Sequence, residues 1–203
     1  MRTMPAHRER DRTGPSSVFS LGRLRSVCWI LVALASAACG KLPLGSKPTD
    51  EGAPAPGWKL RDFQPQSPRY QQVYGLEQFR GSVLLLALYA GTCDVCIALT
   101  RELDRLEKQW RAEGLGVQVA VINAKDAATD QRDLVEVADF PLFQDTQQID
   151  AFAQQGGGTD DLYVYTPGGR LSRYFKWADS VTVQPLTRQG RNNLRAAVVQ
   201  AAR

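Results

Sequence analysis

The chain has 203 residues, 43% hydrophobic and 23% charged, with a formal net charge of +4, values of a globular chain long enough for one domain with added segments. The excess charge is confined to residues 1–38, where six arginines face Glu9 and Asp11, and the remainder balances at 19 basic and 19 acidic residues. A neutral domain offers no electrostatic ground for nucleic acid as a partner.

Near the start, Arg23 and Arg25 precede an apolar run from Val27 to Ala38. A run of that length is short for a bilayer span and suits the apolar part of a signal peptide. It ends Leu34-Ala35-Ser36-Ala37-Ala38-Cys39-Gly40. Small residues before a cysteine resemble the lipobox of bacterial lipoproteins, in which the cysteine is lipidated and becomes the first mature residue. Ser36 stands where leucine is commoner, and an ordinary cleaved signal with an incidental cysteine is the alternative. The predicted division is a lipoprotein signal peptide over 1–38, a flexible tether over 39–57 and a domain over 58–203. The tether reading rests on Lys41 to Gly57, rich in Pro, Gly and Ala and without apolar periodicity. The expected location is the bacterial cell envelope, lipid-anchored through Cys39 and facing the periplasm or exterior.

Within the domain, Val83 to Tyr89 is an unbroken apolar run, as in a strand covered on both faces. Ala90-Gly91-Thr92 breaks it. From Cys96 the pattern turns helical, with Ile97, Leu99, Leu103, Leu106 and Trp110 at spacings of three to four, and Gly114 ends it. A second buried strand is predicted over Val117 to Ile122, completing a βαβ unit with parallel neighbours. Short helices are predicted over Asp130 to Ala138 and Gln147 to Gln154, around a brief apolar segment at Phe140 to Phe143. Gly156 to Gly158 reads as a loop. Leu162 to Tyr165 and Leu171 to Phe175, joined through Pro167-Gly168-Gly169, read as a hairpin. Asn192 to Ala202 reads as a closing helix. The fold class expected is α/β, a central mixed sheet flanked by helices.

Cysteine use points to the chemistry. Of four cysteines, Cys28 would leave with the signal and Cys39 would carry lipid, so Cys93 and Cys96 remain. Export permits their disulfide. His7, the one histidine, would also be removed. No Ser-His-Asp triad, Cys-His pair or histidine-containing metal site can then be built, and no cofactor or metal is expected. Cys93-Asp94-Val95-Cys96 falls between strand and helix, so Cys93 should sit at a helix N-terminus, where free N–H groups favour a thiolate. The thiolate is the nucleophile of thiol–disulfide exchange. Cys96, on the first helical turn, is placed to resolve a mixed disulfide or a sulfenic acid. Asp94 would oppose thiolate formation if its charge is close. Half of a zinc site lacks further ligands here. An inert structural disulfide is the other alternative, although so short a loop constrains the unfolded chain little.

The ordered motifs resemble one family, the N-terminal domain of selenoprotein P and its bacterial relatives, over about residues 54–175. The likeness is carried by Pro56-Gly57-Trp58 with Arg61-Asp62, Gly81-Ser82-Val83, Cys93-x-x-Cys96-Ile97, Glu113-Gly114-Leu115, Asn123, Asp160-Asp161, Tyr165 and Gly169-Arg170-Leu171. It implies a thioredoxin-like fold and redox activity at the first motif position, which is selenocysteine in that family and Cys93 here. Reduction of peroxides or disulfides would follow. The family's histidine-rich and selenocysteine-rich segments are absent from the sequence, so selenium transport, heparin binding and histidine-based metal binding do not carry over. Thioredoxins also place a cis-proline before the strand matching Leu162 to Tyr165, facing the dithiol. That position falls near Asp160, and Pro141 is too early. Either Asp160 or Asp161 faces the cysteines and tunes them or a substrate, or both merely cap a turn.

Two functions are therefore weighed. One is an exported, membrane-tethered thiol–disulfide oxidoreductase, with hydroperoxide reduction as a variant. Its partners would be a disulfide-bearing protein or a small thiol or peroxide. The other is a non-catalytic binding lipoprotein of thioredoxin-like fold with a structural Cys93–Cys96 disulfide.

Overall fold

Val83 to Tyr89 forms the central strand, and its side chains alternate between two buried faces. Val83, Leu85, Ala87 and Tyr89 enter one apolar cluster and Leu84, Leu86 and Leu88 the other. This is why the run shows no polar alternation. The computed structural model describes residues 46–203. The predicted signal peptide, Cys39 and the beginning of the tether lie outside the described residues.

In chain order the elements are β1 (Leu60–Asp62), β2 (Val73–Tyr74), β3 (Val83–Tyr89), α1 (Asp94–Ala112), β4 (Val117–Asn123), α2 (Gln131–Val135), β5 (Leu142–Gln144), α3 (Ala151–Gln155), β6 (Leu162–Tyr165), β7 (Leu171–Phe175) and α4 (Arg188–Ala201). They build a seven-stranded sheet in the order β2-β1-β5-β4-β3-β6-β7. β3, β4 and β5 run parallel, and β6, β7, β1 and β2 join antiparallel on the two flanks. The predicted βαβ unit and the hairpin are both present. So is the expected mixed sheet flanked by helices.

α1 forms because Leu99, Leu103, Leu106 and Trp110 recur on one face and are all buried. Each buried leucine of that stripe contributes about 1.5–3 kcal/mol. The helix ends where Gly114 takes a left-handed conformation at φ 84°, and Leu115 N–H turns back to Trp110 O at 2.9 Å. Leu194, Ala197, Val198 and Ala201 of α4 enter the same cluster. The opposite face carries an aromatic group instead. Trp58, Tyr74 and Phe143 meet edge to face, with Trp58–Phe143 centroids 5.6 Å apart and Tyr74–Phe143 centroids 4.8 Å apart. Trp58 is thus a core residue.

Three short strands were not expected: β1, β2 and β5. The helix expected over Asp130 to Ala138 is shorter, with a 3-10 turn at Ala128–Asp130 leading into α2. The helix expected over Gln147 to Gln154 begins only at Ala151, where Asp145 Oδ1 accepts from Ala151 N–H at 2.8 Å and Oδ2 from Phe152 N–H at 3.1 Å.

The second half of the expected tether also differs. Gly52 N–H donates to Leu171 O at 2.7 Å, Leu171 N–H to Ala53 O at 2.8 Å, and Ala55 N–H to Gly169 O at 3.0 Å. Glu51 pairs with Arg173 at 2.8 Å. β7 is an edge strand whose outer backbone groups need partners, and residues 52–55 supply them whatever their composition suggests.

Gly190, in the first turn of α4, gives a test of packing against propensity. An added Cβ there would lie 2.1 Å from the Gln184 carbonyl oxygen. Alanine favours a helix over glycine by about 1 kcal/mol, but overlap with backbone costs more. Gly190→Ala is expected to lower stability by about 2 kcal/mol, seen as a lower denaturant midpoint at unchanged slope. A higher midpoint would show that the Gln184 turn moves aside freely.

Candidate active site

β3 delivers the chain to the C-terminal edge of the parallel strands, where ligand sites of open α/β sheets form. Two devices fix the loop that follows. Gly91 N–H donates to Asn123 Oδ1 at 2.8 Å, and Ala124 N–H donates to Tyr89 O at 2.8 Å. Asn123 is itself held, its Nδ2 donating to Ala127 O and to Gln144 Oε1, each at 2.8 Å. Gly91 is required because a Cβ would lie 2.4 Å from Asp130 O. Asn123 entered the sequence analysis only through the resemblance. Its signal is an amide at the end of a buried apolar strand.

Cys93 is the N-cap of α1, in extended conformation, and its sulfur accepts from Cys96 N–H at 3.3 Å. Cys93 N–H is tied to Ala90 O at 3.1 Å. The first cysteine is half-buried and the second fully buried. The two sulfurs lie close without being bonded. Val95, between them, is an exposed apolar residue. The pair therefore has an outer member that solvent or substrate can reach and an inner member that only Cys93 or a neighbouring side chain can.

The two aspartates before β6 part company. Asp160 adopts φ 74°, in the left-handed region that non-glycine residues seldom use. Its N–H donates to Leu88 O at 2.7 Å, and its Oδ1 accepts from Cys96 Sγ at 3.3 Å. Asp161 is buried and turns away. Its carboxylate accepts from Gly158 N–H at 2.8 Å, Tyr174 O–H at 2.7 Å and Trp177 N–H at 2.9 Å. Asp160 thus faces Cys96, and Asp161 ties the turn to β7 and Trp177.

The electrostatics follow from burial. Burial pushes the Cys96 thiol well above its usual range, and the Cys93 and Asp160 hydrogen bonds add to the rise. Burial also raises Asp160, helped by the Asp161 charge and opposed by the bond from Cys96. Tyr89, at the end of β3, is raised by burial and then by Asp160 and Cys96. Among the described residues, no three Cys, His, Asp or Glu side chains gather into a metal-holding group, and no helix is long and apolar enough to cross a membrane. Surface clefts between β7 and α4 and around Gly114 to Gln118 include neither cysteine.

Solved structures share this architecture. A protein described as the thiol:disulfide interchange protein DsbE of Chlorobium tepidum superposes with a TM-score of 0.57 at 20% identity, covering 75% of this chain and 97% of its own. The thioredoxin domain of a thiol-disulfide oxidoreductase of Bacteroides vulgatus gives 0.56 at 14% identity, over 73% of this chain and 98% of its own. A secreted thiol-disulfide isomerase of Corynebacterium glutamicum gives 0.53 at 18% identity, over 73% and 83%. No family model matches the sequence, and no curated protein matches it. The fold is therefore thioredoxin-like.

Proposed function

We propose that this domain performs thiol–disulfide exchange, with Cys93 as nucleophile and Cys96 as resolving thiol. The observation that carries the reading is the asymmetry of the pair. Cys93 is reachable and caps a helix whose first-turn amide, that of Cys96, points at its sulfur, while the Cys96 side chain is enclosed behind it. A donor aimed at sulfur complements charge developing there during exchange. The similarity to a thiol:disulfide interchange protein, a thiol-disulfide oxidoreductase and a thiol-disulfide isomerase supports the same reading at the level of fold. The substrate class is a disulfide-bearing protein, with small disulfides or peroxides as smaller acceptors.

The proposal extends to place and family. The chain is read as an envelope protein anchored through lipid on Cys39, with a leader over 1–38. The ordered motifs around Cys93, Asn123, Asp160 and Gly169-Arg170-Leu171 support kinship with the selenoprotein P N-terminal domain. Because residues 52–55 are docked on β7, the stretch from Cys39 to Glu51 can reach no more than about 45 Å fully extended. That is shorter than the composition of 39–57 implies.

The competing role is a binding lipoprotein stapled by a structural disulfide. Equilibrating the Cys93–Cys96 pair against glutathione separates the two. Exchange requires a reduction potential above about −300 mV, and a value well below it marks a structural bridge.

A further inference from the structure

The buried thiol has a problem that the exchange reading creates. Resolution of a mixed disulfide needs Cys96 as a thiolate, yet burial holds that thiol protonated. The described domain contains no histidine to take the proton. Among the described residues, Cys93 and Asp160 are the side chains that hydrogen-bond the sulfur, and of the two only Asp160, 3.3 Å away, is a carboxylate that can take the proton.

Resting on the exchange reading, we propose that Asp160 is the general base of the resolving step, receiving the Cys96 proton as Cys96 attacks. The balance is as follows. Cys93 has already attacked a substrate disulfide, releasing one substrate thiolate and leaving a Cys93–substrate mixed disulfide. The Cys96 S–H bond then breaks, with its proton passing to Asp160 Oδ1. The freed sulfur lone pair forms the Cys93–Cys96 bond, and the Cys93–substrate bond breaks with its electron pair leaving on substrate sulfur. That thiolate takes a proton from Asp160 or from solvent. The dithiol loses two electrons and the substrate disulfide gains them.

Three further observations support the assignment. Asp160 is held in an uncommon backbone conformation at φ 74°. Such strain persists only where the surroundings impose it, and here they do. Asp160 N–H is tied to Leu88 O, and the adjacent Asp161 binds the 158 loop, β7 and Trp177. The carboxylate is therefore aimed at Cys96 by its frame and not left to find it. The titratable groups acting on Asp160 are also few: Cys96 from α1, with Cys93 beyond it, Tyr89 from β3, and Asp161 beside it. Asp161 opposes its ionisation and the bond from Cys96 favours it, and no cation is among them. Burial makes Asp160 a stronger base than an ordinary carboxylate, and a base is more effective as its affinity for the proton approaches the donor's.

The test uses the full chain with Cys28 and Cys39 replaced by serine, so that only the motif thiols report, and the aromatic disulfide dithiobis-nitrobenzoate as probe. Attack by Cys93 releases a first equivalent of chromophoric thiolate, and resolution by Cys96 releases a second. In Asp160→Asn the second release is expected to slow about 100-fold, while the first stays within a few-fold of the parent. The parent's second step should fall off on the acid side at a pH above the ordinary carboxylate range. In the variant that limb should be replaced by a steady rise into alkali, as Cys96 ionises unaided. Asp160→Gly, which suits the positive φ, should behave like Asp160→Asn and so separates the carboxylate from the backbone it sits on. A second release as fast as the parent's in both variants, with the acid limb retained, overturns the proposal and leaves exchange standing. A parent that never releases a second equivalent overturns the exchange reading and this proposal together.

Discussion

Cys93→Ser is expected to remove disulfide reduction down to the uncatalysed background, a loss on the order of 1,000-fold or more. The argument is one of access. Cys96 is 0% exposed, so it cannot replace Cys93 in the encounter with a substrate disulfide. Serine keeps the N-cap geometry, because its oxygen also accepts from a helix N–H, and so the loss will not come from a frayed helix. Cys96→Ser is expected to behave differently. Its Cys93 still attacks, but the reaction stops at the mixed disulfide, which accumulates and is visible as a covalent adduct by intact mass. Applied in cells, the same variant retains its physiological partners on Cys93. If the double serine variant reduced disulfides as the parent does, the exchange reading would be wrong.

Asp62→Ala should be the most destabilising single change outside the apolar core, about 3–5 kcal/mol. Asp62 lies in β1 and is 0% exposed. Its Oδ1 accepts from Gln64 N–H at 3.0 Å and Leu142 N–H at 3.3 Å. Its Oδ2 accepts from the Ser67 hydroxyl and from Tyr74 O–H at 2.7 Å. Alanine would leave two amides and two hydroxyls facing a space that water fills poorly, each costing about 1–3 kcal/mol if unmet. The effect joins sheet segments far apart in sequence, because Asp62 also pairs with Phe143 across the β1–β5 ladder. Guanidinium unfolding would show it as a large fall in midpoint. A loss under about 1 kcal/mol would mean that water reaches these donors.

Where the physics is local, the sequence was readable. The run Val83 to Tyr89, the stripe Leu99 to Trp110 and the turn at Pro167-Gly168-Gly169 each specify their own element, and the structure contains all three. The motif position followed from them, since a strand ending at Tyr89 and a helix starting at Asp94 leave Cys93 as cap. β1, β2 and β5 were not readable because they have three, two and three residues and exist only through partners elsewhere. Leu60 to Asp62 is a strand because Phe143 and Gln144 lie beside it, and nothing within the triplet says so. Arg61-Asp62 belonged to the motif set of the resemblance, but its reason, a buried carboxylate joining four donors, appears only in three dimensions. The aspartate pair before β6 was legible as a place and ambiguous as to role. Asp160 takes the left-handed turn position and meets the thiol while Asp161 holds the turn, a division set by the fold around the pair and not by any pattern within it.

The docking of residues 52–55 on β7 bears on how copies of this protein avoid one another. A sheet ends in two rows of backbone donors and acceptors, and an uncovered row can recruit the same row on a second molecule. At the β7 side the chain covers part of that row with its own segment, through the Pro54–Arg170 bridge and the bonds at Gly52, Ala53 and Ala55. Proline at position 54 has no N–H to offer, so the cover itself is a poor template for a further strand. A fragment started at Trp58 would keep the dithiol and lose this guard. A short length of chain that looks like a linker would then decide whether the domains remain separate or grow edge to edge.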